Sequence, residues 1–217
     1  LAAGILVLLL ADLFVPARAG RALGWLCAGV LVAALAVSFR VDTSGTAFSG
    51  AYAGGPWVLF FKRTFLVAAF LAVLGSLKHL ERHQPNRQGE YYLLVLFSVL
   101  GMTLLPGARD LILLIIPFEL MGIPLFVLAA YAKTDDKTGP ERFAPEAALK
   151  LYLVGVASAA ITLYGLSLVY GATGSTSVAA IARGPGSPPL PLGALLVLAR
   201  MGFKIGARKE EKIADDA

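Results

Sequence analysis

The sequence predicts an all-α membrane protein, a polytopic bundle of about seven transmembrane helices. Of its 217 residues, 58% are hydrophobic and only 15% are charged. The hydrophobic residues are gathered into long runs, and no run alternates between polar and apolar residues as a barrel strand does. The charged residues stand mainly in the short segments between the runs, where membrane proteins carry them. The single cysteine, Cys27, excludes an intrachain disulfide.

Seven apolar runs predict seven helices. In chain order they lie near residues 2–15, 23–39, 57–80, 91–105, 111–131, 147–170 and 190–207. The first is short against the roughly 20 residues that cross a bilayer, so we expect further chain before Leu1. Two segments rich in Gly, Ser, Thr and Pro, 40–56 and 171–191, predict a flexible outer loop and a turn-rich connection. Residues 1–207 are therefore one predicted helix bundle, and 208–217 are a charged tail.

The distribution of Lys and Arg between the loops predicts the orientation in the membrane. Loops on one side contain Arg18, Arg21, Lys78, Arg82, Arg87, Lys133, Lys137 and Arg142, and those on the other side contain Arg40, Arg109 and Arg183. Short cytoplasmic loops carry the excess of basic residues. We therefore expect the visible N-terminus outside the cell and the C-terminal tail in the cytoplasm. The same loops account for the net charge of +5, which does not indicate nucleic-acid binding.

Polar residues at the two ends of the third run have structural interpretations. Lys62 and Arg63 lie close enough to its start for their long side chains to reach the outer surface. His79, Glu81 and His83 form an H-x-E-x-H string at its inner end. Two His four residues apart can share a metal ion, but no further ligand is near in the sequence. We interpret the string as an interfacial polar turn and predict no metal site.

Glu119 is the strongest functional signal in the sequence. It is the one charge in the fifth run and stands near its middle. A charge at the centre of a membrane helix costs about 2.5–3.5 kcal/mol on insertion scales, so it faces protein or water and usually serves a function. Pro117 and Pro124 flank it, and each removes a backbone donor from the helix. The alternative is a kinked structural helix with a neutral glutamate.

Two further pairs of charges lie within apolar runs. Glu146 and Lys150 are four residues apart with the glutamate first, the favourable order for a helical ion pair. They are either an interfacial salt bridge or a proton-relay pair. Arg200 and Lys204, also four apart, require a negative partner inside the membrane, and Glu119 is the obvious one. For Lys204 the alternative is a lysine at the cytoplasmic end of its helix.

Four segments, in this order and spacing, resemble subunit N of bacterial NADH–quinone oxidoreductase, an antiporter-like membrane subunit of respiratory complex I. They are RQGEYYLLVLFSVLGMTLL, DLILLIIPFELMGIPLFVLAAY, PEAALKLYLVGVASAAITLYGLSLVYGATGS and GFKIGA. The resemblance covers residues 1–207 and implies a fold of about fourteen helices, with two inverted repeats and broken helices at mid-membrane. After residue 207 the sequence departs from the family pattern, so we expect this chain to be a fragment that holds the leading helices and most of the first repeat.

The resemblance also implies roles for four residues in proton translocation coupled to quinone reduction. Glu119 matches the family's glutamate in the fifth helix, and Lys204 matches the lysine of the broken seventh helix with which it pairs. Glu146 and Lys150 match the acidic-x-x-x-Lys start of the sixth helix. This set is the predicted proton relay.

The same resemblance places the chain in the inner (plasma) membrane of a bacterium, with other complex I membrane subunits as partners. It implies that FMN, iron–sulfur clusters and quinone are bound by other subunits. In agreement, this sequence contains no dinucleotide-binding or cysteine-cluster motif and no His pair placed for haem. Two alternatives have the same helix pattern: a subunit of a cation/proton antiporter complex, and a structural subunit that conducts no protons.

Overall fold

The computed structural model describes residues 1–14, 20–40, 45–83, 88–131, 144–183 and 189–206, with only the backbone described at 83, 144, 189 and 200–206. Within these ranges the elements are α1 (Ala2–Phe14), α2 (Gly20–Arg40), β1 (Thr46–Ala47), β2 (Tyr52–Ala53), α3 (Pro56–His83), α4 (Gln88–Leu104), α5 (Leu111–Ala129), α6 (Ala144–Thr173), α7 (Val178–Arg183) and α8 (Pro189–Gly206). A 3-10 turn, Leu105–Gly107, joins α4 to α5.

The predicted helical membrane fold is confirmed. Among the described residues, five helices, α2 to α6, are long and apolar enough to cross a membrane, whereas α1 and the apolar part of α8 are shorter. Each of the seven predicted helices is present with ends within three residues of those expected. The short helix α7 is additional and lies in the segment that was expected to be only a turn-rich connection.

The chain divides into two compact units, 1–151 and 152–217. In the first unit α4 is central and packs against α1, α2, α3 and α5. Its core contains fully buried side chains from four of these helices: Leu8, Leu31, Val73, Tyr92, Leu96 and Val99. The outward-facing side chains of the same helices are largely Leu, Ile, Val and Phe, as expected where lipid is the solvent.

In the second unit α6 and α8 meet at a pair of glycines. A Cβ on Gly165 would lie 2.8 Å from the carbonyl oxygen of Gly193, and one on Gly193 would lie 2.6 Å from the carbonyl oxygen of Gly165. Small residues at such a crossing let two membrane helices approach closely.

The segment 40–56, expected to be a flexible outer loop, contains a β-hairpin. Thr46 pairs with Ala53 and Ala47 with Tyr52 in antiparallel register. The hairpin is held by the α4–α5 connection, because the amide of Arg109 donates to the carbonyl of Ala51 at 2.8 Å. The contact that holds the hairpin therefore comes from a residue more than fifty positions away in the chain.

Arg63 joins α3 to the end of α2. Its guanidinium donates to the carbonyl oxygen of Ser38 at 2.9 Å and lies 4.1 Å from the ring centre of Phe39. Ser38 is in the last turn of α2, where carbonyl groups have no partner within the helix. Lys62, its neighbour, lies 5.0 Å from the ring centre of Tyr52 in the hairpin. Both cations are thus held at the helix ends nearest the hairpin.

Replacing Arg63 with Gln is expected to lower the free energy of unfolding by about 2 kcal/mol, because the change removes a charge-assisted hydrogen bond and a cation–π contact. The measurement is denaturant unfolding of the purified protein in micelles. Arg40→Gln is the matched control, since Arg40 is exposed at the end of α2. An equal loss of stability in both variants would show that the contacts of Arg63 contribute nothing specific.

Candidate functional site

Glu119 lies at the middle of α5, beside the helix midpoint Leu120, and its side chain is partly buried. Asp110 caps the start of the helix, and its carboxylate accepts a hydrogen bond from the amide of Ile112 at 2.9 Å. Despite Pro117 and Pro124, the helix is continuous to Ala129. Glu119 is therefore at the middle of its helix, as the sequence predicts, and that helix is not interrupted.

Helix α4 is in direct contact with α5 at residues 117–121, the part of α5 that includes Glu119. Pro117 and Pro124 are buried. The hydroxyl of Ser98 in α4 donates to the carbonyl oxygen of Met121 at 3.1 Å, and Gly101 of α4 lies against the backbone of Pro117 and Met121. Sequence reasoning missed Ser98 and Gly101, because Ser and Gly are frequent in membrane helices and nothing local distinguishes these two.

Glu146 and Lys150 form the predicted ion pair in the first turns of α6. The Lys150 Nζ atom lies 2.7 Å from the Glu146 Oε1 atom. Both side chains are exposed, 59% for Glu146 and 73% for Lys150. Because exposed pairs contribute little to stability, the geometry leaves open whether the pair is only an interfacial salt bridge or takes part in proton transfer.

Arg200 and Lys204 both lie in α8, but their side chains are outside the described residues. The predicted pairing of Lys204 with Glu119 therefore stays a prediction.

The H-x-E-x-H string lies in the last turns of α3, as predicted. His79 and Glu81 are exposed, and the side chain of His83 is outside the described residues. The carboxylate of Glu81 lies 3.9 Å from the guanidinium of Arg21, so the string contributes a weak contact between α3 and α2. Among the side chains that the structure describes, no three of His, Cys, Asp or Glu are grouped as a metal ion would require.

Comparison with known proteins identifies similar membrane subunits. Residues 108–208 match the family described as NADH:quinone oxidoreductase/Mrp antiporter, transmembrane. The chain is 37% identical to NADH-quinone oxidoreductase subunit N of Trichlorobacter lovleyi, over 93% of this chain and 42% of that protein. It is 34% identical to F(420)H(2) dehydrogenase subunit N of Methanosarcina mazei, over 92% of this chain and 42% of that protein. The chain thus spans about two fifths of the length of these curated relatives.

Solved structures agree with these matches. A chain of respiratory complex I from Thermus thermophilus superposes with a TM-score of 0.73 at 33% identity, over 94% of this chain and 42% of that one. A chain of an archaeal membrane-bound sulfane sulfur reductase has the same fold, with a TM-score of 0.72 at 20% identity, over 93% of this chain and 42% of that one. The resemblance to subunit N found in the sequence is therefore confirmed.

Proposed function

We propose that this chain is part of an antiporter-like membrane subunit of an NADH–quinone oxidoreductase, in which it takes part in moving protons across the membrane. The observation that carries the proposal is the position of Glu119, a partly buried carboxylate at the midpoint of an apolar helix that contains two prolines. An ionisable group at that depth is costly and is retained where protons or ions move. The family match includes this helix.

The proposed relay uses four groups. Glu146 and Lys150 stand at the start of α6, where they exchange protons with water on the cytoplasmic side. Glu119 binds and releases a proton at mid-membrane, and Lys204 is its counter-charge. A nearby cation favours the ionised carboxylate, and withdrawal of that cation favours proton uptake. Proton uptake and release by Glu119 are thereby linked to the distance between Glu119 and Lys204.

The energy for this movement comes, in the proposal, from quinone reduction in other subunits, which bind the FMN and iron–sulfur clusters. To test this, the full-length subunit is affinity-purified from native membranes, and the flavin and iron that co-purify with it are measured. The purified complex is then placed in proteoliposomes, and proton uptake driven by NADH is measured. We expect flavin, iron and NADH-driven proton uptake to be found together.

The family description also names Mrp antiporters, which is why a cation/proton antiporter is the second candidate. A complex without flavin and iron that exchanges Na⁺ for H⁺ would favour that candidate and contradict the proposal.

The proposed orientation places residues 78–90 and 132–145 in the cytoplasm, and residues 40–56 and 171–189 outside, because the first set carries most of the loop Lys and Arg. A membrane-impermeant thiol reagent added to intact cells is expected to label Ser49→Cys and not Lys137→Cys. The native Cys27 is fully buried and gives a low background. Labelling of the second variant alone would reverse the orientation.

A further inference from the structure

Gly101 lets the backbone of α4 lie directly against α5. A Cβ at this position would stand 2.5 Å from the carbonyl oxygen of Pro117 and 2.6 Å from the amide nitrogen of Met121. Both are backbone atoms, so they cannot rotate away as a flexible side chain does. Ordinary van der Waals contact begins at 3.4 Å, so any larger residue would force the two helices apart. The two residues touched are on either side of Glu119 in the sequence.

Ser98 fixes the same turn of α5 by a hydrogen bond. It is 2% exposed, lies three residues before Gly101 on the same face of α4, and donates to the carbonyl oxygen of Met121 at 3.1 Å. Pro124 has no amide hydrogen for the carbonyl of Leu120, so this part of α5 lacks one of its own helical hydrogen bonds. Ser98 donates to the neighbouring carbonyl, that of Met121, so it adds a contact from α4 to the weakened part of α5 but does not replace the missing bond.

The contacts with α4 are on the side of α5 opposite to Glu119. Residue 119 is two positions from both Pro117 and Met121, which is rather more than half a turn of an α-helix. The backbone of 117–121 is therefore in contact with α4 on one side, and residue 119 is on the other. A movement of this backbone moves the carboxyl group with it.

We infer that Ser98 and Gly101 are positioning residues for Glu119: they set the depth and rotation of residues 117–121, and so the place at which the carboxyl group takes up and releases its proton. The inference rests on the proposed function of Glu119. Two uncharged residues of α4 thus contribute to the proton-transfer site, in addition to the charged residues of the proposed relay.

The test uses the assembled complex with the full-length subunit, and it measures NADH-driven pumping divided by the amount of assembled complex. Gly101→Ala is expected to lower this rate at least about threefold, because a displacement of about 1 Å at a reacting group can cost up to about 100-fold. Gly75→Ala is the matched control, since a Cβ there meets nothing within 4 Å. Ser98→Ala is the milder variant, and Ser167→Ala is its control because that exposed hydroxyl donates to the Tyr164 carbonyl of its own helix.

A second measurement separates positioning from stability. Gly101→Ala is combined with Glu119→Asp, and pumping per complex is compared with the two single variants. If Gly101 acts through Glu119, the combined loss is smaller than the product of the single losses, as for coupled sites. Losses that multiply, an unchanged rate per complex, or a fall explained wholly by less assembled complex would each overturn the inference. Failure of the proposed function would be seen separately, as parental pumping by Glu119→Gln.

Discussion

Replacing Glu119 with Gln in the full-length subunit is expected to leave the complex assembled and to lower proton pumping at least about tenfold, because a positioned proton-transfer group typically contributes about 10²–10⁴-fold. Gln keeps the shape of the side chain but cannot change charge. Because Gln has almost the same size as Glu, the substitution leaves no cavity, and the partly buried position avoids a large cost for the neutral amide. Glu119→Asp, which retains a titratable group, is expected to keep part of the activity. Pumping is measured in proteoliposomes with a pH-sensitive dye and divided by the amount of assembled complex.

The matched control for Glu119→Gln is Glu90→Gln, because Glu90 is an exposed carboxylate in the first turn of α4. This variant should pump at the parental rate. If Glu119→Gln also does so, Glu119 is structural and the relay proposal fails. If Glu119→Gln prevents assembly while Glu90→Gln does not, the result favours the interpretation of this chain as a structural subunit.

Replacing Lys150 with Met is expected to lower pumping about tenfold while leaving assembly almost unchanged. The first effect follows from its proposed role as a proton donor near the cytoplasmic surface. The second follows from the exposure of the Glu146–Lys150 pair, since exposed ion pairs are screened by water and salt and contribute little to stability. The measurements are pumping per complex and the yield of assembled complex on a native gel.

Two comparisons decide how the result with Lys150 is interpreted. Lys78→Met removes an exposed lysine from the last turns of α3, and it should leave pumping at the parental rate. Glu146→Gln should reduce pumping less than Lys150→Met does, because Lys150 keeps its own exchangeable proton. If both members of the pair can be neutralised without loss of pumping, the pair is only an interfacial salt bridge.

Hydropathy alone located the long apolar helices of this protein and the position of Glu119 at the middle of one of them. An apolar run has to be about as long as the bilayer is thick, so both its presence and the position of a charge within it can be seen in the sequence. The ends of the helices were less well predicted. The third run was expected to end at residue 80, yet α3 continues to His83. Hydropathy marks where the lipid ends, whereas a helix continues as long as its backbone hydrogen bonds do.

The contacts between helices were decided only by the tertiary structure. The hairpin at residues 46–53 is held by the amide of Arg109, and the turn that carries Glu119 is held by Ser98 and Gly101. Lipid chains are as apolar as leucine, so hydrophobicity does not select which helix faces meet inside a membrane. That choice depends on small residues and single hydrogen bonds that fit a particular neighbour. The 23 glycines of the chain are alike in the sequence, and only the packed helices show that the backbone of α5 rests against Gly101.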